Sequence, residues 1–221
     1  MIATHQNYLP QIITFLCSLA FAGVLGIVSF KSLHMGIRAY AAQSVVLGSA
    51  ALLMGLSEFH SHIIVIAAFA LAVKGFAIPW FLFKVMEQVK IKRETEPFLN
   101  FTVSIFGCVG LTLLSYLVMQ RALGDDSFAL IGFSLALAFM LAGLLLMAGR
   151  KKAIMQVLGL LVVENGLFIA ALSTSFQMPM IVELGLVFDI LVAVIVLGLL
   201  VFRIQKTFGS INTENLNRLK G

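Results

Sequence analysis

The chain has 221 residues, of which 61% are hydrophobic and only 11% are charged, with a formal net charge of +5. Soluble domains carry about a quarter charged residues, so this composition excludes a soluble globular protein and indicates an integral membrane protein. The positive charge does not indicate nucleic acid binding, because the basic residues lie in short connections between apolar segments.

Seven apolar segments are each long enough to cross a bilayer, which requires about 20 helical residues. Helices are expected, because open strands would leave backbone groups unpaired in lipid. The predicted spans, in chain order, are Tyr8–Phe30, Ile37–Leu56, Ser61–Phe83, Phe98–Met119, Phe128–Ala148, Ala153–Leu172 and Met178–Phe202. The sequence therefore predicts an all-α, polytopic membrane protein of seven transmembrane helices.

The basic residues predict the orientation of these spans. Thirteen of the 15 lysine and arginine residues lie on one side of the seven spans, whereas the opposite side carries only Arg121 and the remaining one, Lys74, is inside a span. Cytoplasmic connections are enriched in lysine and arginine, so the N-terminus is predicted outside and the C-terminus in the cytoplasm. An even number of spans would mix the two groups, which also favours seven.

The spans divide the chain into four parts. The first is an N-terminal three-helix part, 1–97, and the second is the fourth helix with its outer loop, 98–125. A C-terminal three-helix part, 126–203, and a polar cytoplasmic tail, 204–221, complete the chain. No large soluble domain is expected.

Three ionisable residues, Lys74, Glu164 and Asp189, lie deep within apolar spans. A charge at the bilayer centre costs roughly 2.5–3.5 kcal/mol even on insertion scales, and such residues commonly serve ion or proton pathways. The three residues are therefore predicted to hold or relay a proton. The alternative is static contact between helices through polar side chains, which the neighbouring Asn165 also fits.

The two deep carboxylates are predicted to lie level with each other. Glu164 and Asp189 are each nine residues from the short connection between their spans, or roughly 13–14 Å deep at 1.5 Å per residue. If their faces match, they could share a proton. Glu183, near the outer end of the last span, either exchanges protons with the outer surface or extends to water as an interfacial carboxylate.

Lys74 has two alternatives of its own. Its side chain could reach backbone groups freed near Pro79, or it could face a carboxylate on a neighbouring helix. The sequence offers no catalytic or metal-binding motif, since it has no cysteine pair with cluster spacing and no histidine pair one helical turn apart. A stand-alone seven-helix retinal protein is a further alternative, which is disfavoured because the last span contains no lysine and is tested by the absence of a visible chromophore.

Several stretches resemble one family, the hydrogenase-4 component E family of membrane subunits in formate hydrogenlyase-type and other group 4 nickel–iron hydrogenase complexes. The resemblance covers nearly the whole chain. The matching stretches are Tyr40–Leu47, Lys74–Pro79, Val163–Gly166, Val182–Gly185, Asp189 with Ala193–Val196, and Thr207–Gly221.

The last three spans also resemble the small K subunit of respiratory complex I and the C subunit of multi-subunit sodium/proton antiporters. In those relatives two buried carboxylates line the proton route. The matching positions here are Glu164 and Asp189, the second being an aspartate where the complex I subunit has glutamate.

The resemblance implies a non-catalytic, proton-translocating membrane subunit of a complex I-like hydrogenase in the inner membrane of a bacterial or archaeal cell. It implies no cofactor in this chain, with the nickel–iron centre and iron–sulfur clusters in partner subunits. The implied partners are antiporter-like and quinone-site-like membrane subunits and a cytoplasmic hydrogenase arm. The alternatives are a structural scaffold subunit of that complex and a subunit of a sodium/proton antiporter.

Overall fold

Helices form nearly all of the chain that the structure describes. The structure is a computed structural model that describes residues 8–57, 61–89, 98–124 and 127–174. A π-helical turn, Val73–Ala77, interrupts the third span. The helices are α1 (Leu9–Ser29), α2 (Leu33–Ser57), α3 (Ser61–Ala72), α4 (Ile78–Val89), α5 (Phe101–Leu123), α6 (Ser127–Gly149) and α7 (Ala153–Thr174).

Within the described residues, six helical segments are long and apolar enough to cross a membrane. They overlap the first six predicted spans with ends that differ by up to six residues, and the third, Ala67–Glu87, runs through α3, the π turn and α4. The all-α class and these six segments are therefore confirmed. The seventh predicted span, Met178–Phe202, lies outside the described residues. The orientation and the division into four parts stay predictions.

Helix α2 lies at the centre of the described bundle. It packs against α1, against α3 and α4 with the turn between them, and against α7. Helix α6 packs against α7 and α5, while α1 also contacts α5 and α6. Helix α5 is the most exposed, and large apolar side chains such as Phe106 and Leu113 project from it. An apolar surface of this kind is stable against lipid tails, which are themselves apolar.

Helices α6 and α7 form the closest contact, because glycines let their backbones approach. A Cβ added to Gly143 would lie 2.6 Å from the carbonyl oxygen of Gly159, and one added to Gly166 would lie 2.8 Å from that of Ala136. Small residues permit such close packing between membrane helices. Only residues 150–152 connect the two helices, so they run antiparallel. This contact fixes the position of α7, which carries Glu164.

The third span changes its helical register near its middle. The Ile78 N–H donates to the Val73 carbonyl, five residues back, instead of to the residue four back. Pro79, which follows, has no N–H to donate to the carbonyl of Gly75, so the α-helical ladder is interrupted in the same region. Single π turns of this kind are frequent at functional sites. Lys74 lies within this turn.

Candidate functional site

Lys74 and Glu164 form an ion pair in the interior of the bundle. The Lys74 Nζ lies 3.4 Å from the Glu164 Oε1, and the two side chains are 7% and 1% exposed. Of the two alternatives for Lys74, the structure therefore shows contact with a carboxylate on a neighbouring helix. A buried ion pair of this kind needs further polar contacts, because removing two charges from water is costly.

Asn165 supplies such contacts. Its Oδ1 accepts a long hydrogen bond of 3.5 Å from the Lys74 Nζ, and its Nδ2 donates one of 3.5 Å to the Ser44 Oγ. The Lys74 Nζ also lies 5.3 Å from the centre of the Phe168 ring. Three residues of α7 thus surround one ammonium group, and Ser44 links them to α2. We call Ser44, Lys74, Glu164 and Asn165 the central polar cluster.

The central polar cluster lies near the middle of each helix that contributes to it. Ser44 is the twelfth of 25 residues in α2, and Glu164 is the twelfth of 22 in α7. Lys74 is the fourteenth of the 29 residues from 61 to 89. At 1.5 Å per residue, Glu164 is about 16 Å from either end of its helix. The cluster is therefore as far from both bilayer surfaces as the described helices allow.

Small residues on α2 bring the three helices together at this depth. A Cβ added to Gly48 would lie 2.6 Å from the Leu71 side chain of α3, so α2 and α3 are in close contact there. One turn before it, Ser44 is the short side chain that meets Asn165. Lysine has a four-carbon stem, so Lys74 can reach past α2 to α7. A bulkier residue at position 44 would separate the charges.

A second buried amide lies next to the cluster on α2. Gln43 is 1% exposed, and within the described part of the chain neither its Oε1 nor its Nε2 makes a hydrogen bond. Its side chain lies against α1, where a Cβ added to Gly23 would be 3.4 Å from the Gln43 Oε1. A buried amide in this state costs free energy unless water or another polar group joins it.

One residue is placed differently from the sequence-based expectation. As a connection residue, Arg150 is expected to face the cytoplasm with the other basic residues, but it is 1% exposed. Its guanidinium donates to the Val28 carbonyl and lies 4.2 Å from the centre of the Phe101 ring. Carbonyls in the last turn of a helix lack intrahelical donors, and Arg150 supplies one to α1. Its role is to join helix ends, away from the central polar cluster.

Of the four residues predicted to translocate protons, the structure describes two. Lys74 and Glu164 lie together, whereas Glu183 and Asp189 lie outside the described residues, as does the predicted pairing of Glu164 with Asp189. Sequence reasoning gave Ser44 no role. The available signal was that Ser44 is a polar residue in the middle of an apolar span.

Other candidate chemistry is limited in the described ranges. Both cysteines, Cys17 and Cys108, are buried and free. Across residues 8–57, 61–89, 98–124 and 127–174, no group of three histidine, cysteine, aspartate or glutamate side chains could hold a metal ion. The chemistry that the cluster can perform is proton exchange: a carboxylate and an amine in contact can each gain or lose a proton, and the charge of one affects the other.

The fold and the site define a multi-pass helical membrane protein with a buried ion pair at mid-depth. No family model and no solved structure matches the chain at a significant level. The uncharacterized protein Rv0085 of Mycobacterium tuberculosis is 30% identical over 204 residues, which cover 91% of this chain and 92% of that protein.

The second group of relatives carries a descriptive name. Hydrogenase-4 component E of Escherichia coli K12 is 25% identical over 212 residues, which cover 96% of this chain and 98% of that protein. The protein of the same name from Shigella flexneri matches to the same extent. The resemblance to hydrogenase-4 component E that the sequence predicts is therefore confirmed over nearly the whole chain.

Proposed function

We propose that this chain is a non-catalytic membrane subunit of a complex I-like group 4 hydrogenase complex and that its central polar cluster takes part in proton translocation. The nickel–iron centre and iron–sulfur clusters belong to a cytoplasmic arm of partner subunits. Antiporter-like and quinone-site-like subunits are its neighbours in the cell membrane. The observation that carries the proton role is the buried contact between Lys74 and Glu164.

Membership of a hydrogenase complex is supported by the relatives named hydrogenase-4 component E, which match 96% of the chain. Proton translocation is supported by the depth of the cluster and by its charge. Ionisable side chains within membrane spans are rare and costly, and they commonly mark ion pathways. Helix packing alone requires no charges, since small and neutral polar residues join membrane helices adequately.

The coupling follows from electrostatics at short range. When Glu164 gains a proton, the Lys74 ammonium loses its counter-charge 3.4 Å away. In a low-dielectric interior this change is large, so the protonation states of the two groups are linked. A charge that arrives from a neighbouring subunit then shifts the proton occupancy of Glu164, which is coupling in the thermodynamic sense. Asn165 keeps the ammonium in place while the charge changes.

The second candidate is a scaffold subunit of the same complex without an ion path. It is favoured by the hydrogen bond between Asn165 and Ser44 and by the close α6–α7 contact, both of which hold helices together. The third is a subunit of a multi-subunit sodium/proton antiporter. Purification of the tagged chain from its own membranes tests that alternative, because a nickel–iron subunit must copurify if the proposed complex is correct.

The experiment that separates the first two candidates is Glu164→Gln, which removes the titratable group at nearly constant volume. We expect the complex that assembles to keep normal hydrogen chemistry in its soluble arm but to lose proton coupling in membrane vesicles, measured per assembled complex. Glu87→Gln is the matched control, because Glu87 is exposed on α4. Unchanged coupling in an intact complex would show that the proton role is wrong, and reduced abundance with normal coupling of the remainder would favour the scaffold.

A further inference from the structure

The surroundings of the Lys74 ammonium are those of a cation-binding site. The Glu164 Oε1 lies 3.4 Å from the Nζ, the Asn165 Oδ1 lies 3.5 Å from it, and the Phe168 ring centre lies 5.3 Å away. Carboxylate oxygens, amide oxygens and aromatic faces all attract monovalent cations. In the described structure, the positive charge at this position belongs to the side chain of Lys74.

We propose that the Lys74 ammonium occupies the position of a monovalent metal cation, so that the central polar cluster exchanges protons and does not bind sodium. This inference rests on the proposed function and adds to it the identity of the ion that the central polar cluster handles. The central polar cluster is neutral when Lys74 carries its proton and Glu164 does not. A sodium ion would add a second positive charge within a few ångströms of the first.

This repulsion and the space that the Lys74 ammonium already fills both oppose the entry of a sodium ion. At about 4 Å and an effective dielectric constant near 20, two like charges disfavour each other by a factor on the order of 1,000 in a binding constant. Sodium would therefore enter only if Lys74 lost its proton or withdrew. Withdrawal is opposed because Lys74 is buried at mid-length of its span, about 20 Å from either end of residues 61–89.

Removing the lysine side chain should create the site that it now fills. In Lys74→Ala the Glu164 carboxylate and the Asn165 amide oxygen remain, and the lost side chain leaves space for a small monovalent cation that these oxygens can hold. The test is the thermal unfolding of the purified full chain in detergent, measured in sodium chloride and in choline chloride at equal ionic strength. This assay requires no transport, so its failure is distinct from failure of the proton coupling test above.

We expect no difference between the two salts for the wild type. For Lys74→Ala we expect a saturable rise in midpoint temperature with sodium, lithium or potassium, and no such rise in Lys74→Ala/Glu164→Gln. A saturable, Glu164-dependent effect of sodium on the wild type would overturn the proposal. So would a folded Lys74→Ala that responds to none of the three ions.

If Lys74→Ala does not fold, Lys74→Ser replaces it, because serine leaves a similar cavity with one added polar atom. A saturable response of Lys74→Ser to the three ions supports the proposal, and no response in the folded variant overturns it. The wild type remains informative in every case. Radioactive sodium binding to the purified chain should equal that of Glu164→Gln, whereas excess binding in the wild type that Glu164→Gln removes would contradict the proposal.

Discussion

The Lys74 ammonium lies 3.4 Å from the Glu164 carboxylate, although the two residues belong to the third and sixth spans of the chain. The contact brings a lysine from a π-helical turn to the centre of α7. The Lys74 ammonium also donates a hydrogen bond to the Asn165 Oδ1, and the side chains of Lys74 and Glu164 are both buried. The stability of the bundle and its proposed activity therefore depend on the same contact.

The first prediction concerns the ion pair itself. Lys74→Met and Glu164→Gln should each lower the free energy of unfolding by up to about 3–5 kcal/mol, because each leaves one buried group without its counter-charge. The double variant should lose less than the sum of the two, since it leaves no charge behind. Thermal unfolding of the purified wild type, the two single variants and the double variant measures this double-mutant cycle.

The control for this cycle is an exposed pair on the same span. Lys84→Met and Glu87→Gln change the same residue types three positions apart on α4, where both side chains are exposed. Exposed pairs contribute about 0–1 kcal/mol, so the coupling energy should be small. Additive losses at Lys74 and Glu164, as large as those of independent sites, would contradict a functional ion pair.

The second prediction concerns the link between α2 and α7. Ser44→Ala should lower the free energy of unfolding by about 0.5–1 kcal/mol, because the Asn165 Nδ2 loses its acceptor. Ser49→Ala on the same helix should have almost no effect, since the Ser49 Oγ donates to the Val46 carbonyl of its own helix. In an Asn165→Leu background the effect of Ser44→Ala should disappear, and its persistence there would refute the link.

The third prediction concerns the α6–α7 contact. Gly143→Ala places a methyl group 2.6 Å from the Gly159 carbonyl oxygen, so the helices must separate. We expect a loss of about 1–3 kcal/mol of stability, as for other overpacked sites. Gly110→Ala is the control, because a Cβ there meets nothing within 4 Å. It should leave stability unchanged or raise it by up to about 1 kcal/mol through helix propensity. Equal midpoint temperatures for the two variants would show that the backbones are not in contact.

The fourth prediction concerns Arg150. Arg150→Ala should lower stability by about 2–5 kcal/mol, because the Val28 carbonyl and the Phe101 ring lose a buried cationic partner. Arg150→Lys should recover only part of this, since lysine lacks the planar guanidinium that stacks on a ring. Lys151→Ala is the control. Lys151 is exposed beside the Phe98 ring at 5.1 Å, so the change should cost less than about 1 kcal/mol. Equal losses for Arg150→Ala and Lys151→Ala would place Arg150 at the surface.

Proton translocation and the identity of the ion are tested by different measurements. Glu164→Gln tests transport in the assembled complex, and the response of Lys74→Ala to sodium tests the cation position in the purified chain. If Lys74→Ala binds sodium but Glu164→Gln leaves proton coupling unchanged, the Lys74 ammonium occupies a cation position in a subunit that serves as a scaffold.

The sequence by itself determined the helical membrane class, six spans that the structure confirms, and the identity of two buried charges. Apolar runs of about 20 residues have one stable form in lipid, so hydropathy was sufficient for these conclusions. The sequence also determined the depth of Glu164 within its span, because the rise per residue of a helix is constant. It predicts Glu164 near the centre of the span, and the structure places it there.

Only the tertiary structure decided which charges meet. The direction in which a side chain points depends on helix rotation and on the neighbours that glycines and serines admit, and hydropathy carries no information about either. Thus the structure shows the contact between Lys74 and Glu164, which the sequence leaves as one of two alternatives for the lysine. A shared proton between Glu164 and Asp189 stays a prediction, because Asp189 lies outside the described residues. Arg150 became buried for the same reason: the end of α1 and the start of α5 meet around it, which no local pattern reveals.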